Sequence, residues 1–443
     1  MTMLLANGRL VNEGEIVEAD LLIDGERIAR IGGGSVPAGT EVIDLAGCYV
    51  LPGLIDDQVH FREPGHPAKG TIESESRAAI AGGVTSFLDM PNNSPPAVTL
   101  AAIAEKRAIA ARTSYANYGF YLGATNENLD EIRRASAAEV CGIKVFMGAS
   151  TGNMLVDDPA TLERLFAEAR VPIAAHCEDT PMILAAEQRF RERFGDDVPI
   201  SAHPEIRSAD ACYASSSRAV ELAKRTGARL HVLHLSTGRE LELFEPGPIG
   251  GKRITAEVCV HHLWFEQTDY AELGARIKCN PAIKTAADRD ALVRGVVEDR
   301  IDVIATDHAP HTEEEKGRRY FDAPSGLPLV QHSLAMLLEQ HRLGLFSLPT
   351  IVEKTAHNPA RLFNIVGRGF IREGYFADLA VVDLGATSRV TRDSLLYRCG
   401  WSPLEGTTFH SALRMTILNG RIAYRGGTVS AERLGRALEF EAS

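Results

Sequence analysis

Ile301-Asp302-Val303-Ile304-Ala305-Thr306-Asp307-His308-Ala309-Pro310-His311 is an apolar run that stops at a carboxylate flanked by imidazoles. Upstream the same construction recurs, in Leu230-His231-Val232-Leu233-His234, in Ile173-Ala174-Ala175-His176-Cys177, in Gly142-Ile143-Lys144-Val145-Phe146-Met147 and in His60 after Gly53-Leu54-Ile55-Asp56. Run after run carrying an imidazole, amine or carboxylate toward its end makes sense if those ends converge. The pattern reads as one hydrolytic metal centre at the C-terminal mouth of a parallel sheet.

The texture around these runs supports that geometry. Further strand-like stretches lie at Val84–Met90, Tyr118–Gly123 and Ile254–Val258, and stretches rich in Ala, Leu, Glu and Arg separate the runs at 101–112, 160–169, 181–194, 209–226 and 287–298. Alternation of strand and helix over about 300 residues predicts a (β/α)8 TIM-type barrel, spanning 51–375. An open doubly wound sheet is the rival, but it gathers its ligand at one switch point, whereas the reactive residues here end many strands. No glycine-rich phosphate loop opens a helix. Residues 1–50 and 376–443 share another texture, short strand-like runs split by Gly turns, such as Asp20-Leu21-Leu22-Ile23-Asp24-Gly25 and Ala377-Asp378-Leu379-Ala380-Val381-Val382-Asp383. Neither end is large enough for a core of its own, so the two are expected to pair into a small β-sandwich-like domain.

Composition sets the partners. Across 443 residues, 59 acidic against 47 basic side chains give a formal charge of -12, which disfavours nucleic acid and anionic membranes. The seven cysteines are scattered without a CxxC pair, the pattern of a reducing compartment, and no segment approaches the apolar length of a membrane span. A cytoplasmic enzyme of a small-molecule substrate is expected, and a homo-oligomer is compatible with this composition.

Each candidate ligand has a plainer reading beside the functional one. His60 alone is a loop residue, His176 and His234 alone are satisfied core histidines, and Asp307 alone is a helix N-cap. Lys144 alone is a snorkelling or ion-paired lysine. Taken together the plain readings lose ground: burial favours the neutral amine of Lys144, which adds carbon dioxide to become a carbamate, an anionic oxygen ligand able to bridge two divalent ions. Zinc accepts such nitrogen and oxygen ligands, acidifies bound water and polarises a carbonyl, so the implied reaction is hydrolysis of an amide-like carbon with Asp307 moving the proton.

Val50-Leu51-Pro52-Gly53-Leu54-Ile55-Asp56, His60-Phe61-Arg62-Glu63-Pro64-Gly65, Asp89-Met90-Pro91-Asn92, Lys144, His176, His234, Asn280-Pro281 and Asp307-His308-Ala309-Pro310-His311 together resemble the dihydroorotases of the amidohydrolase superfamily, in order along almost the whole chain. The resemblance implies one or two zinc ions held by His60, carboxylated Lys144, His176, His234 and Asp307, with Asp307 as acid and base. It also implies that Arg62, Asn92 and His311 receive the substrate carboxylate, and that Asn280 and the loop Ala323-Pro324-Ser325-Gly326 contact the ring, Pro324 and Gly326 foremost. An arginine fork matches a carboxylate in shape and charge.

One position departs from the family pattern. Gln58 stands where the first histidine of His-x-His is usual, and a neutral amide oxygen is a poorer zinc ligand. The position served by His60 and Asp307 is therefore expected to bind metal weakly or not at all. Other cyclic amidases, hydantoinase-like or allantoinase-like, compete as readings because they share the metal centre without needing a carboxylate clamp. A non-catalytic scaffold partnered with a transcarbamoylase also competes, on the strength of Gln58 alone. His261 and His262 are read as structural, and Thr312–Phe321 as a solvated loop.

Overall fold

The strand-like runs pair in sequence order. In the computed structural model, which describes residues 2–148 and 154–441, eight parallel strands follow one another around a single sheet. They are β1 (Leu54–Val59), β2 (Val84–Asp89), β3 (Asn117–Gly123), β4 (Gly142–Phe146), β5 (Ile173–His176), β6 (Leu230–Val232), β7 (Ile254–Cys259) and β8 (Val303–Ala305). All residues of β1 to β5 are buried. A sheet covered on both faces needs near-continuous apolar strands, which is why these runs show no polar alternation.

β8 meets β1 to close the ring. Val59 bridges His308, and the His60 amide donates to the His308 carbonyl at 2.7 Å. The buried Asp56 carboxylate clasps Thr306 across the same seam, accepting from its hydroxyl at 2.6 Å and its amide at 3.2 Å.

The outer helices begin where the side chains dictate. Thr71 caps α1 (Ile72–Ala81) in a capping box with Ser74, Thr99 caps α2 (Leu100–Thr113), and Asp158 followed by a proline opens α3 (Pro159–Glu168). Asp179 and Ser208 cap α4 (Thr180–Phe194) and α5 (Ala209–Thr226), while Thr285 caps α6 (Ala286–Val297). Gly227 ends α5 at φ 75°, a left-handed turn that glycine reaches without strain. The five helical stretches expected from composition coincide with α2 to α6, and the capping side chains account for their starts.

The chain ends form a second, separate sheet of nine strands. Its centre is the antiparallel pairing of Tyr49–Pro52 with Leu379–Asp383, in the register Val50 to Val381. Thr2–Asn12, Glu15–Asp24 and Arg27–Ile31 extend it one way, and Ala412–Leu418 and Arg421–Arg425 the other. Its core is its own: Leu5, Leu21, Ile23, Val50, Leu379 and Ile417 cluster apart from the barrel. From this pairing we propose the division into a composite β domain, 1–50 with 376–443, and a barrel, 51–375.

The far end of the barrel is sealed. Leu438 and Phe440 pack with Ile55, Leu88, Tyr121, Ala174 and Val303 in the barrel interior, and the Tyr118 amide and carbonyl pair with Arg436 and Leu438. Among the described residues, the C-terminal ends of the strands are the end left uncovered by this packing.

Candidate active site

At that mouth lies a cavity of about 180 Å³. Gln58, His60, Arg62, Asn92, Lys144, His176, His234, Asn280, Asp307, His311, Pro324, Ser325 and Gly326 all line it. Every side chain singled out as a ligand or substrate contact is thus brought to one place, although Ala323 of the loop stands back from the lining. Arg62, His234 and Asp307 have positive φ of 66°, 40° and 45°. Each such conformation costs on the order of 1–3 kcal/mol, and here the strain turns strand ends inward over the mouth.

The donor atoms are arranged for a cation. His60 Nδ1 lies 2.6 Å from the Asn92 amide oxygen, which fixes the proton there and leaves the Nε2 lone pair 3.0 Å from Asp307 Oδ1. His176 Nδ1 and His234 Nε2 stand 3.1 Å apart with their rings near perpendicular. His234 Nδ1 and Asn280 Oδ1 are buried without a hydrogen-bond partner. Zinc–nitrogen bonds of about 2.0–2.1 Å at tetrahedral angles would put neighbouring donors roughly 3.3 Å apart, so this set fits a divalent ion. Burial holds His60, His176 and His234 below the usual histidine range, keeping their lone pairs free.

Lys144 is fully buried, its ammonium 4.7 Å from the Phe146 ring centroid. Burial pushes its pKa down to about 8, within reach of the neutral amine. Burial raises the Asp307 carboxyl, but His60, His261 and Lys144 outweigh it and hold the group below its ordinary value. Gln58 faces Asp307 with its amide nitrogen, donating to Oδ1 at 3.2 Å, while its oxygen lies 4.0 Å from Cys259 Sγ.

Buried ion pairs hold these groups in place. Asp89, paired with Lys106 at 2.6 Å, accepts from the Phe61 amide beside His60. His308 accepts the Leu329 amide at Nδ1 and donates from Nε2 to Glu75 at 2.8 Å, which fixes the turn after Asp307. Glu178, 2.9 Å from His176 Nε2, is pushed up by burial but held down to about 2 by Arg207 and His176. Sequence patterning had pointed to none of Glu75, Lys106 or Glu178. Their signal was a charged residue inside an otherwise apolar helix face or strand end, which a solvated surface produces equally well.

The substrate side is built around a buried cation. The Arg62 guanidinium donates from Nε to the Pro310 carbonyl at 3.1 Å and lies 3.0 Å from His311 Nε2, and among the described residues it forms no ion pair. Burial lowers its pKa to about 10, which leaves it charged at neutral pH. His311 is held well below the usual range by burial, Arg62 and Lys69, and it reaches the Ser325 carbonyl at 3.0 Å. Gly326, at φ 140°, is glycine by necessity, because a Cβ there would sit 2.4 Å from the Ala309 carbonyl.

The stretch Thr312–Phe321 departs from its reading as a solvated loop. Glu313–Lys316 is a helical turn capped by Thr312, and Lys316 is buried. Its Nζ lies within hydrogen-bonding reach of the carbonyls of Lys278, Pro324 and Gly326, at 3.0, 2.9 and 2.9 Å. Lys278 in turn reaches the Tyr320 and Ala323 carbonyls. Three consecutive glutamates masked a lysine that anchors the loop over the cavity.

A closed parallel barrel with imidazole, carboxylate and buried amine donors gathered at its C-terminal mouth defines a barrel hydrolase. The chain belongs to the amidohydrolase family, whose model matches residues 49–423. It is 37% identical over 432 residues to a dihydroorotase of Halobacterium salinarum, covering 96% of each chain. An allantoinase of Solibacter usitatus is 33% identical over 445 residues, covering 98% of this chain and 96% of its own. Among solved structures, the L-hydantoinase of Arthrobacter aurescens superposes with a TM-score of 0.93 at 28% identity over 99% of both chains. Among the described residues no helix is long and apolar enough to cross a membrane.

Proposed function

We infer that the protein is a cytoplasmic dihydroorotase, interconverting L-dihydroorotate and N-carbamoyl-L-aspartate in pyrimidine synthesis by opening and closing a cyclic amide. The observation that carries this reading is Arg62: a buried guanidinium beside the metal donors, answered by a carbonyl and an imidazole instead of a carboxylate. Burying such a charge is costly unless an anion arrives to pair with it. A substrate that brings its own carboxylate supplies that anion, whereas hydantoins and allantoin do not. Asn92, His311 and Asn280 complete the clamp, Asn280 with a buried amide oxygen free to accept from the ring.

His60, Lys144, His176, His234 and Asp307 would hold zinc, with carbon dioxide added to the neutral Lys144 amine and one proton lost to give the carbamate. The ion supplies an acidified water and a polarised carbonyl. Asp307 Oδ1 accepts the Gln58 amide, so Oδ2 takes the proton from the attacking water and delivers it to the departing ring nitrogen. Gln58 occupies Asp307 with a hydrogen bond and offers no imidazole, which supports one tight metal and a second that is loose or absent.

The test is turnover of dihydroorotate, hydantoin and allantoin side by side, with Arg62→Ala as the discriminating variant. Loss of its charge-assisted hydrogen bonds should cost about 3 kcal/mol, roughly 10²-fold in kcat/KM for dihydroorotate. Unchanged dihydroorotate turnover, or preference for allantoin or hydantoin, sinks the assignment.

A further inference from the structure

Deeper in the barrel, below the hydrolytic centre, lies a second cluster of titratable side chains. Asp57 of β1, His231 of β6 and Glu257 of β7 are wholly buried, and His60 and His234 of the mouth follow the first two three residues later along the chain. Both Asp57 oxygens, Glu257 Oε2 and His231 Nε2 lack a hydrogen-bond partner. His231 Nε2 lies 3.2 Å from Asp57 Oδ2 and 3.6 Å from Glu257 Oε2, and one donor atom from each residue falls within 4.8 Å of the others.

The imidazole is oriented from behind. Thr255 Oγ1 donates to the Leu230 carbonyl at 3.2 Å and so receives the proton of His231 Nδ1, 2.8 Å away. That choice leaves Nε2 as the atom aimed between the two carboxylates. The other neighbours give no relief: the Tyr121 hydroxyl donates to the Asp57 backbone carbonyl, and Glu257 Oε1 accepts the His234 amide.

We propose that Asp57, His231 and Glu257 form a buried divalent-cation site distinct from the hydrolytic centre. Two carboxylates and an imidazole supply three donors of the kind a zinc-class ion accepts. Bonds of about 2.0–2.2 Å at tetrahedral angles put neighbouring donors roughly 3.3–3.6 Å apart, close to the two spacings at His231 Nε2. The ion ties β1, β6 and β7 together from inside the barrel.

Zinc itself is the probe. The intact protein is stripped with a chelator, reloaded with zinc, desalted and crystallised, and anomalous diffraction at the zinc edge locates the ions. A peak between Asp57, His231 and Glu257 is expected, and Asp57→Asn should remove it, lowering retained zinc by about one equivalent per chain while the peak among His176 and His234 persists. A filled hydrolytic centre with no density at the deeper cluster overturns the proposal, and so does equal density there in Asp57→Asn. The first measurement uses the unaltered chain, so misfolding of the variant does not shelter the claim. A peak at the deeper cluster alone would instead uphold it and count against the hydrolytic reading.

Discussion

Lys144 joins burial to chemistry in a single side chain. Below about pH 8 its nitrogen is an ammonium without a lone pair, and above it the amine is free to add carbon dioxide. Protein stripped of metal and carbon dioxide should therefore recover with zinc, at a fixed concentration of dissolved carbon dioxide, at a rate that climbs as pH rises through about 8 and levels off above. Activity recovery checks this, together with the mass gained at Lys144, and a rate independent of pH would count against it. Gln58→His is the complementary test of the mouth. Restoring an imidazole should add up to one equivalent of bound zinc over the unaltered chain, read by metal analysis, and release Asp307 from the amide that now donates to it.

These residues were readable in advance because polar groups inside apolar runs are conspicuous. Asp57 and Glu257 were just as available, yet a carboxylate within a strand says nothing of which neighbour it faces until the barrel sets β7 beside β6 and β1 across the interior from it. Ligand identity is local, whereas partnership belongs to the fold.

At the scale of the element, the segment carrying Lys316 fastens the substrate loop from below. Burial brings this lysine from 10.5 down to about 7, so between those values the unfolded chain binds a proton that the folded one refuses. Its contribution to stability therefore rises with pH from about 7 to about 10.5 and is flat beneath. Lys316→Met should flatten that rise in denaturant titrations across pH, and raise KM more than it lowers kcat, since the loop loses its anchor while the metal donors stay. Gly326→Ala acts on the same loop by collision with Ala309 and His311. A displacement near 1 Å at a positioned contact costs roughly 10²-fold in kcat/KM, and a loss of that order is expected. The helices were legible because stretches rich in Ala, Leu, Glu and Arg separate the apolar runs. The turn at 313–316 was not, because its one buried side chain sits behind three solvated glutamates.

For the molecule as a whole, the joint between sheet and barrel rests on Arg368. Its guanidinium pairs with the buried Asp378 and donates to Asn419 at 2.9 Å, while Asp378 also accepts the Asn117 amide of β3 and the Asn419 backbone. Arg368→Met would leave Asp378 buried without its cation, a loss of about 3–5 kcal/mol measurable by chemical denaturation, with kcat/KM of the remaining folded protein little changed.

The pairing of Val50 with Val381 also bears on how the chain reaches its final form. Every residue of the barrel lies between those two partners, so the central ladder of the terminal sheet closes one of the longest loops the polypeptide contains. Until the downstream strand arrives, Tyr49–Pro52 presents a bare apolar edge, open to pairing with another molecule. Refolding from denaturant should accordingly be slow at that junction and lose yield as protein concentration rises.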